Sequence, residues 1–295
     1  MKKIKDLNIL VIGGSGFIGS HTADILSKKG HHVTILDKNL SPWIKDNQKM
    51  IVGDIEDKKI LESSMNGIDC IYYFAGIADI ADAKSNPSKT IEYNIMSLTH
   101  ALDAAIKKNI NKFIYASTMY VFSAEGSFYR ATKQAAEIII ETYQENFGLD
   151  YVFLRYGSLY GPRSQTWNGI RDFILQIQEK GFVEYAGNGS EIREYIHVID
   201  AANLSVKGLS DEYKNKALTI TGQQSIKISD MLAMLFEILG KKINVKYQKN
   251  EINTSHYGYT PYRYKPKSSM KMVPIEYVDL GQGLLDIIED VYKVK

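Results

Sequence analysis

The chain has 295 residues, 44% apolar and 24% charged, with 22 glycines and 6 prolines. This is ordinary globular usage and excludes collagen-like, disordered and low-complexity proteins. With 36 Lys+Arg against 34 Asp+Glu the net charge is +2, too weak to imply a nucleic-acid or anionic-membrane partner. One cysteine, Cys70, is too few for an internal disulfide or a Cys-rich zinc site.

At the start, Met1-Lys2-Lys3 and the apolar run at 7–12 have the outline of a signal peptide. Gly13-Gly14 ends that run after six residues, which is shorter than a signal core. No stretch approaches the ~18 apolar residues of a spanning helix, so the expectation is a soluble, cytoplasmic protein. Apolar β-type runs then follow at 8–12, 33–36, 50–52, 70–74, 113–116 and 151–154. Cys70 falls within one of them and reads as a small core residue. A helix is predicted over 87–108, with Asn86 as N-cap, Pro87 in the first turn, and Ile91, Ile95, Leu98, Leu102 and Ile106 on one face. A second helix runs from Tyr129 to about Asn146. Strands that alternate with helices and are apolar throughout argue for a parallel sheet covered on both faces. The fold class is therefore α/β, doubly wound.

Beyond about Tyr156 the rhythm loosens. Short strands at 182–185, 193–197, 218–221 and 244–247 mix with helices near 200–209, 228–239 and 284–291, and an Asn188-Gly189 turn separates the first two strands. The expected division is a Rossmann-type domain over 1–156, with return segments around 195–221. A smaller C-terminal α+β substrate lobe takes 157–194 and 222–295. The substrate is expected in the cleft between them.

Gly13-Gly14-Ser15-Gly16-Phe17-Ile18-Gly19 directly follows the first strand and opens a helix. A nucleotide pyrophosphate needs backbone N–H groups at a helix N-terminus, and a Cβ there would block close approach. Eighteen residues past Gly19, Asp37 ends the second strand. A carboxylate there accepts from ribose hydroxyls and repels a 2′-phosphate, favouring NAD over NADP, with Lys38 beside it as a weak counter-signal. Farther on, Tyr129 and Lys133 are four apart on one helical face. An ammonium beside a phenol favours the phenolate and makes the tyrosine a usable base.

Together these features resemble the extended short-chain dehydrogenase/reductase superfamily, in its NAD-dependent epimerase/dehydratase branch acting on nucleotide sugars. Further motifs match along nearly the whole chain. Val52-Gly53-Asp54-Ile55 is similar to the segment whose Asp meets adenine. Phe74-Ala75-Gly76 is similar to the cofactor-lining turn, and Asn94-Ile95-Met96-Ser97 to the mid-helix Asn motif. Residues 115–121 resemble the Ser-Ser-x-x-Val stretch and place the catalytic hydroxyl on Thr118. Residues 154–163 match the sixth-strand motif, and Arg193-Glu194-Tyr195-Ile196-His197-Val198 with Asp200 matches the motif whose Arg grips the substrate diphosphate.

The resemblance implies that Tyr129 takes the sugar hydroxyl proton, Lys133 holds the nicotinamide ribose, and Thr118 donates to the developing keto oxygen. It implies cofactor contacts at Gly13, Gly16, Phe17, Ile18, Gly19, Asp37, Lys38, Asp54, Ile55, Phe74, Ala75, Gly76, Asn94 and Lys133. Substrate contacts fall at Thr118, Tyr129, Ser158 and Arg193. No metal spacing occurs among the six His, and His31-His32 reads as a solvated turn.

Three departures lie on the substrate side. Met119 and Tyr120 replace the dehydratases' Asp-Glu pair, which disfavours water elimination. Only seven residues separate Val121 from Tyr129, so a covering loop is shortened. Gly157-Ser158 stands where many members place a substrate-contacting Asn. The Tyr-rich stretch 256–266 is read as a substrate-side or packing loop, not a nucleic-acid platform. Wide apolar faces on the two helices carrying Asn94 and Tyr129 suggest a homodimer. The function favoured is a nucleotide-sugar 4-epimerase using NAD. The alternatives are a ketoreductase or dehydrogenase and, behind these, a non-catalytic nucleotide-binding scaffold.

Overall fold

The protein is described from a computed structural model, covering residues 6–248 and 258–263. In chain order the elements are β1 (Asn8–Ile12), α1 (Phe17–Lys28), β2 (His32–Asp37), β3 (Gln48–Val52), α2 (Lys58–Ser64), β4 (Cys70–Tyr73), α3 (Ile80–Ser85), α4 (Pro87–Ile91), α5 (Ser97–Lys107), β5 (Lys112–Thr118), α6 (Ser127–Phe147) and β6 (Asp150–Tyr156). Then follow β7 (Ser158–Tyr160), α7 (Gly169–Lys180), β8 (Val183–Tyr185), β9 (Ile192–His197), α8 (Val198–Lys207), β10 (Lys216–Ile220), β11 (Ser225–Lys227), α9 (Ile228–Ile238) and β12 (Val245–Tyr247).

Seven strands form a wholly parallel sheet in the order β10-β6-β5-β4-β1-β2-β3. This is the doubly wound topology expected from the apolar runs. Alternate residues feed two cores. Leu10, Ile12, Ile71, Tyr73, Phe113 and Phe153 pack with Leu98, Leu102 and Ile140 on one face. Ile9, Val11, Val33, Ile35, Tyr72 and Val152 pack with Leu26, Ala201 and Val206 on the other. Cys70 is buried in that second core, and burial pushes its thiol up to about 12. A third cluster, built on Ile177, Val183, Leu232 and Phe236, joins α7, β8 and α9.

The C-terminal half makes two small sheets, β11-β9-β7 and β12-β8, while β10 returns to the edge of the main sheet. The Asn188-Gly189 turn forms, with Gly189 at φ +82° and Ser190 donating N–H and Oγ–H to Asn188 Oδ1. Its flanking strands do not pair, however. β8 joins β12, and β9 joins β7 and β11. Of the Tyr-rich stretch, residues 258–263 run beside β9, where Gly258 O accepts from Ile192 N and Tyr262 OH donates to Glu194. The helix expected at 284–291 lies outside the described residues.

Three local expectations need correction. Asn86 precedes α4 without a side-chain cap; its amide donates to Asp82 instead. The predicted helix is interrupted by a π-helical turn at Glu92–Met96. The wider turn rotates the upstream apolar stripe by about 100°. Thr90, Tyr93 and Asn94 therefore face inward and Ile91 outward. His31 is also not solvated. It is buried, its ring accepts from Leu7 N, and burial lowers its pKa, whereas His32 is exposed at the start of β2.

Candidate active site

Strand order reverses between β1 and β4, and that switch point opens a crevice at the carboxyl ends of the strands. A cleft of about 1350 Å³ begins there and reaches the residues of the small sheets. At its floor Gly13 adopts φ +82°, and a Cβ would sit 2.6 Å from Ala75 N; at Gly19 a Cβ would be 2.3 Å from Gly13 O. Gly16 caps α1 without a side chain, so Phe17, Ile18 and Gly19 present the helix N-terminus to the cleft. Such a cradle fits a dinucleotide pyrophosphate.

The carboxylate of Asp37 is fixed at the end of β2, with Ser15 N donating to Oδ2 and Asn39 N to Oδ1, each at 3.0 Å. Lys38 lies 5.2 Å from the ring centroid of Tyr93, whose hydroxyl donates to Asp54 Oδ2 at 2.5 Å. Asp37, Lys38, Asp54, Ile55, Phe74, Ala75 and Gly76 all line the cleft. Asn94 does not line it. Its amide is occupied behind the wall, accepting from Ile77 N at 2.7 Å and donating to Ile77 O and Thr132 Oγ1 at 3.0 Å each. Asn94 thus fastens the Gly76-Ile77 turn, and a Cβ on Gly76 would meet Asn94 Oδ1 at 2.7 Å.

Thr118, Tyr129 and Lys133 border the same cleft. Lys133 is buried, donates to Ala116 O at 2.7 Å, and lies 4.6 Å from the Tyr115 ring centroid and 6.0 Å from that of Tyr129. Burial lowers its pKa to about 8, partly opposed by the Glu137 carboxylate. Thr118 Oγ1 accepts from Tyr120 N at 3.3 Å, which leaves its proton for another partner. Met119 is fully buried, and Tyr120 meets Tyr129 edge-on at 6.1 Å. Ser158 and Arg193 also line the cleft. Arg193 is buried, donating to Ile192 O at 3.0 Å and Gly258 O at 3.4 Å. Gly157 packs so closely that a Cβ would meet Thr221 Cγ2 at 2.7 Å, so its neighbourhood is set by packing. Among the described residues no group of His, Cys, Asp or Glu could hold a metal.

Sequence reasoning passed over Ser117, Glu137 and Arg155, a polar cluster in which Ser117 lines the cleft, Glu137 is buried and Arg155 is partly buried. The one local signal was Glu137, a helical turn past Lys133.

Fold and cleft define a dinucleotide-dependent enzyme of the doubly wound class. The family model described as "NAD dependent epimerase/dehydratase family" matches residues 9–220, and the chain belongs to that family. A putative UDP-glucose 4-epimerase of Methanocaldococcus jannaschii is 25% identical over 263 residues, covering 82% of this chain and 85% of that protein. The crystal structure of UDP-glucose 4-epimerase from Thermotoga maritima with UDP-glucose superposes with a TM-score of 0.79 at 25% identity, covering 88% and 90% of the two chains. A variant of UDP-glucuronic acid 4-epimerase from Bacillus cereus, bound to UDP-4-deoxy-4-fluoro-glucuronic acid and NAD, gives 0.79 at 25%, covering 89% and 95%.

Proposed function

We propose that the protein is an NAD-dependent nucleotide-sugar 4-epimerase working through a transient keto-sugar. The observation that carries this is the meeting of Thr118, Tyr129 and Lys133 with the glycine cradle and Asp37 in one cleft. Gly13, Gly16 and Gly19 would hold the NAD pyrophosphate, Asp37 the adenine ribose, and Lys133 the nicotinamide ribose. Bound there, NAD would supply the hydride-accepting and hydride-returning chemistry.

Tyr129 removes the sugar hydroxyl proton and gives it back on reduction, aided by the Lys133 ammonium. The hydroxyl of Thr118, its acceptor side engaged by Tyr120 N, donates to the oxygen that becomes a carbonyl. Water elimination needs an acid and a base after that hydroxyl, and buried Met119 with Tyr120 supplies no carboxylate. Arg193 and Ser158 serve the nucleotide-sugar side. The division into a cofactor domain and a substrate lobe follows the split between the seven-stranded sheet and the small sheets. No helix among the described residues is long and apolar enough to cross a membrane.

Denaturing the purified protein should release NAD. Incubation with UDP-, GDP-, CDP- and dTDP-sugars, without added cofactor, should convert one of them to its 4-epimer. Activity only with stoichiometric NAD or NADH would instead assign a dehydrogenase or ketoreductase. Bound nucleotide without turnover would leave a scaffold. The Asp37 carboxylate predicts tighter binding of NAD than of NADP in parallel titrations; the reverse order would point to Lys38.

A further inference from the structure

Glu137 is a buried carboxylate that the chemistry above does not use. It lies one helical turn beyond Lys133 and two beyond Tyr129 on α6, at 3% exposure. Ser117 Oγ on β5 donates to its Oε1 at 2.5 Å. Arg155 on β6 donates from Nε to Oε1 at 3.0 Å and from Nη2 to Oε2 at 2.6 Å. Ser117 and Arg155 are opposite each other in the strand register, so one side chain ties α6 to two strands at a single level of the sheet. The reacting groups occupy that same level. Ala116 O holds Lys133 Nζ on one side of Ser117, and Thr118 follows on the other.

A buried ion pair is a poor source of net stability, since desolvation offsets the attraction and apolar replacements of similar volume often do as well. Its placement points to another use. The charged and titratable groups around Lys133 are Tyr115 on β5 and Tyr129 and Glu137 on α6. Behind these stand Arg155 on β6, paired to Glu137, and Tyr73 on β4, against Tyr115. The carboxylate whose charge favours the ammonium is that of Glu137, one helical turn away.

We propose that Glu137 is a positioning residue for the Tyr129–Lys133 pair. Its bridge through Ser117 and Arg155 sets the register of α6 on β5 and β6, and its charge holds the Lys133 side chain as an ammonium against the Ala116 carbonyl. This rests on the assignment of Tyr129 and Lys133 made above.

Glu137→Gln keeps the shape and removes the charge. The alkaline limb of its kcat profile should move down by roughly one pH unit, because an opposite charge at close range is worth about 1–3 pKa units. At pH 8, where wild-type Lys133 is about half protonated, kcat should fall about fivefold, and at pH 6.5 far less. A cofactor-free readout accompanies it. The stability difference between wild type and Lys133→Met should begin to rise with pH about one unit lower in the Glu137→Gln background.

The double variant Glu137→Met/Arg155→Met should melt near the wild type yet retain both shifts, and it carries the test if Glu137→Gln does not fold. Loss of melting temperature and kcat with unshifted pH profiles would make the role structural and overturn the proposal, as would a double variant with wild-type profiles. Turnover by Tyr129→Phe would overturn the underlying assignment. An inactive Tyr129→Phe beside an unshifted Glu137→Gln would overturn only the role of Glu137.

Discussion

Lys133 is a buried cation in the cleft wall, held by one carbonyl, set between two aromatic rings and favoured by the Glu137 charge. Burial lowers its folded pKa to about 8 from an ordinary 10.5, so below pH 8 folding must bury a charge. Between about pH 8 and 10.5 the unfolded chain binds more protons than the folded one, and stability contributed at this position rises with pH. Lys133→Met removes that dependence. Urea unfolding from pH 7 to 10.5 should therefore show the wild type gaining on the variant as pH rises; parallel curves would mean the ammonium is not perturbed. The hydroxyls around it are unequal. Tyr129→Phe removes the only proposed proton carrier and should abolish turnover, leaving NAD binding nearly intact by calorimetry. Thr118→Val removes one hydrogen bond to developing charge, a change of about 2.7–4 kcal/mol or 10²–10³ in kcat.

At the scale of elements, the π-helical turn between α4 and α5 turns Asn94 inward to hold both backbone groups of Ile77. Asn94→Ala should lower stability by about 1–3 kcal/mol, since it removes both hydrogen bonds to the partly buried backbone of Ile77. NAD affinity should fall with it, because the Gly76-Ile77 turn lines the cleft. Unchanged affinity would detach that turn from cofactor binding. Such a turn is invisible in the sequence, because the stripe through Ile91, Ile95 and Leu98 has ordinary helical spacing and only packing decides which phase is buried. Strands β1 to β6 were legible for the opposite reason. Largely buried on both faces, all but the edge strand β3 leave nearly continuous apolar runs. The three-residue strands β7 and β11 leave no run to read, and β8 and β9 flank a turn that looks like a hairpin yet feeds separate sheets. Of the candidate site, the glycine cradle, Asp37, Tyr129 and Lys133 were readable because each lies at a fixed local spacing, and Thr118 only through the resemblance of residues 115–121 to a family stretch. The Ser117–Glu137–Arg155 cluster depends on the β5–β6 register, which no local spacing encodes.

Among the described residues, α6 meets two environments. Glu137 on α6 is buried against the sheet, while Ile138 beside it is 63% exposed, and α6 packs alongside α4 and α5, where Ile91 and Met96 are 44% and 48% exposed. Helices that expose isoleucine and methionine in one neighbourhood are suited to an isologous interface, each copy covering the other's face. Sedimentation at micromolar concentration should give about twice the 33.4 kDa chain mass, and the melting temperature should rise with protein concentration, as mass action requires of a coupled dimer. Ile138→Glu would place two like charges across such an interface and should yield monomers. Tyr129 and Lys133 ride on the same helix, so this variant should also lose part of its kcat while its KM stays close to the wild type. A wild type that sediments as a monomer at all concentrations would remove the dimer. A monomeric Ile138→Glu with undiminished kcat would show instead that α6 is held rigid by its own sheet, through Glu137 and Arg155, with no help from a partner.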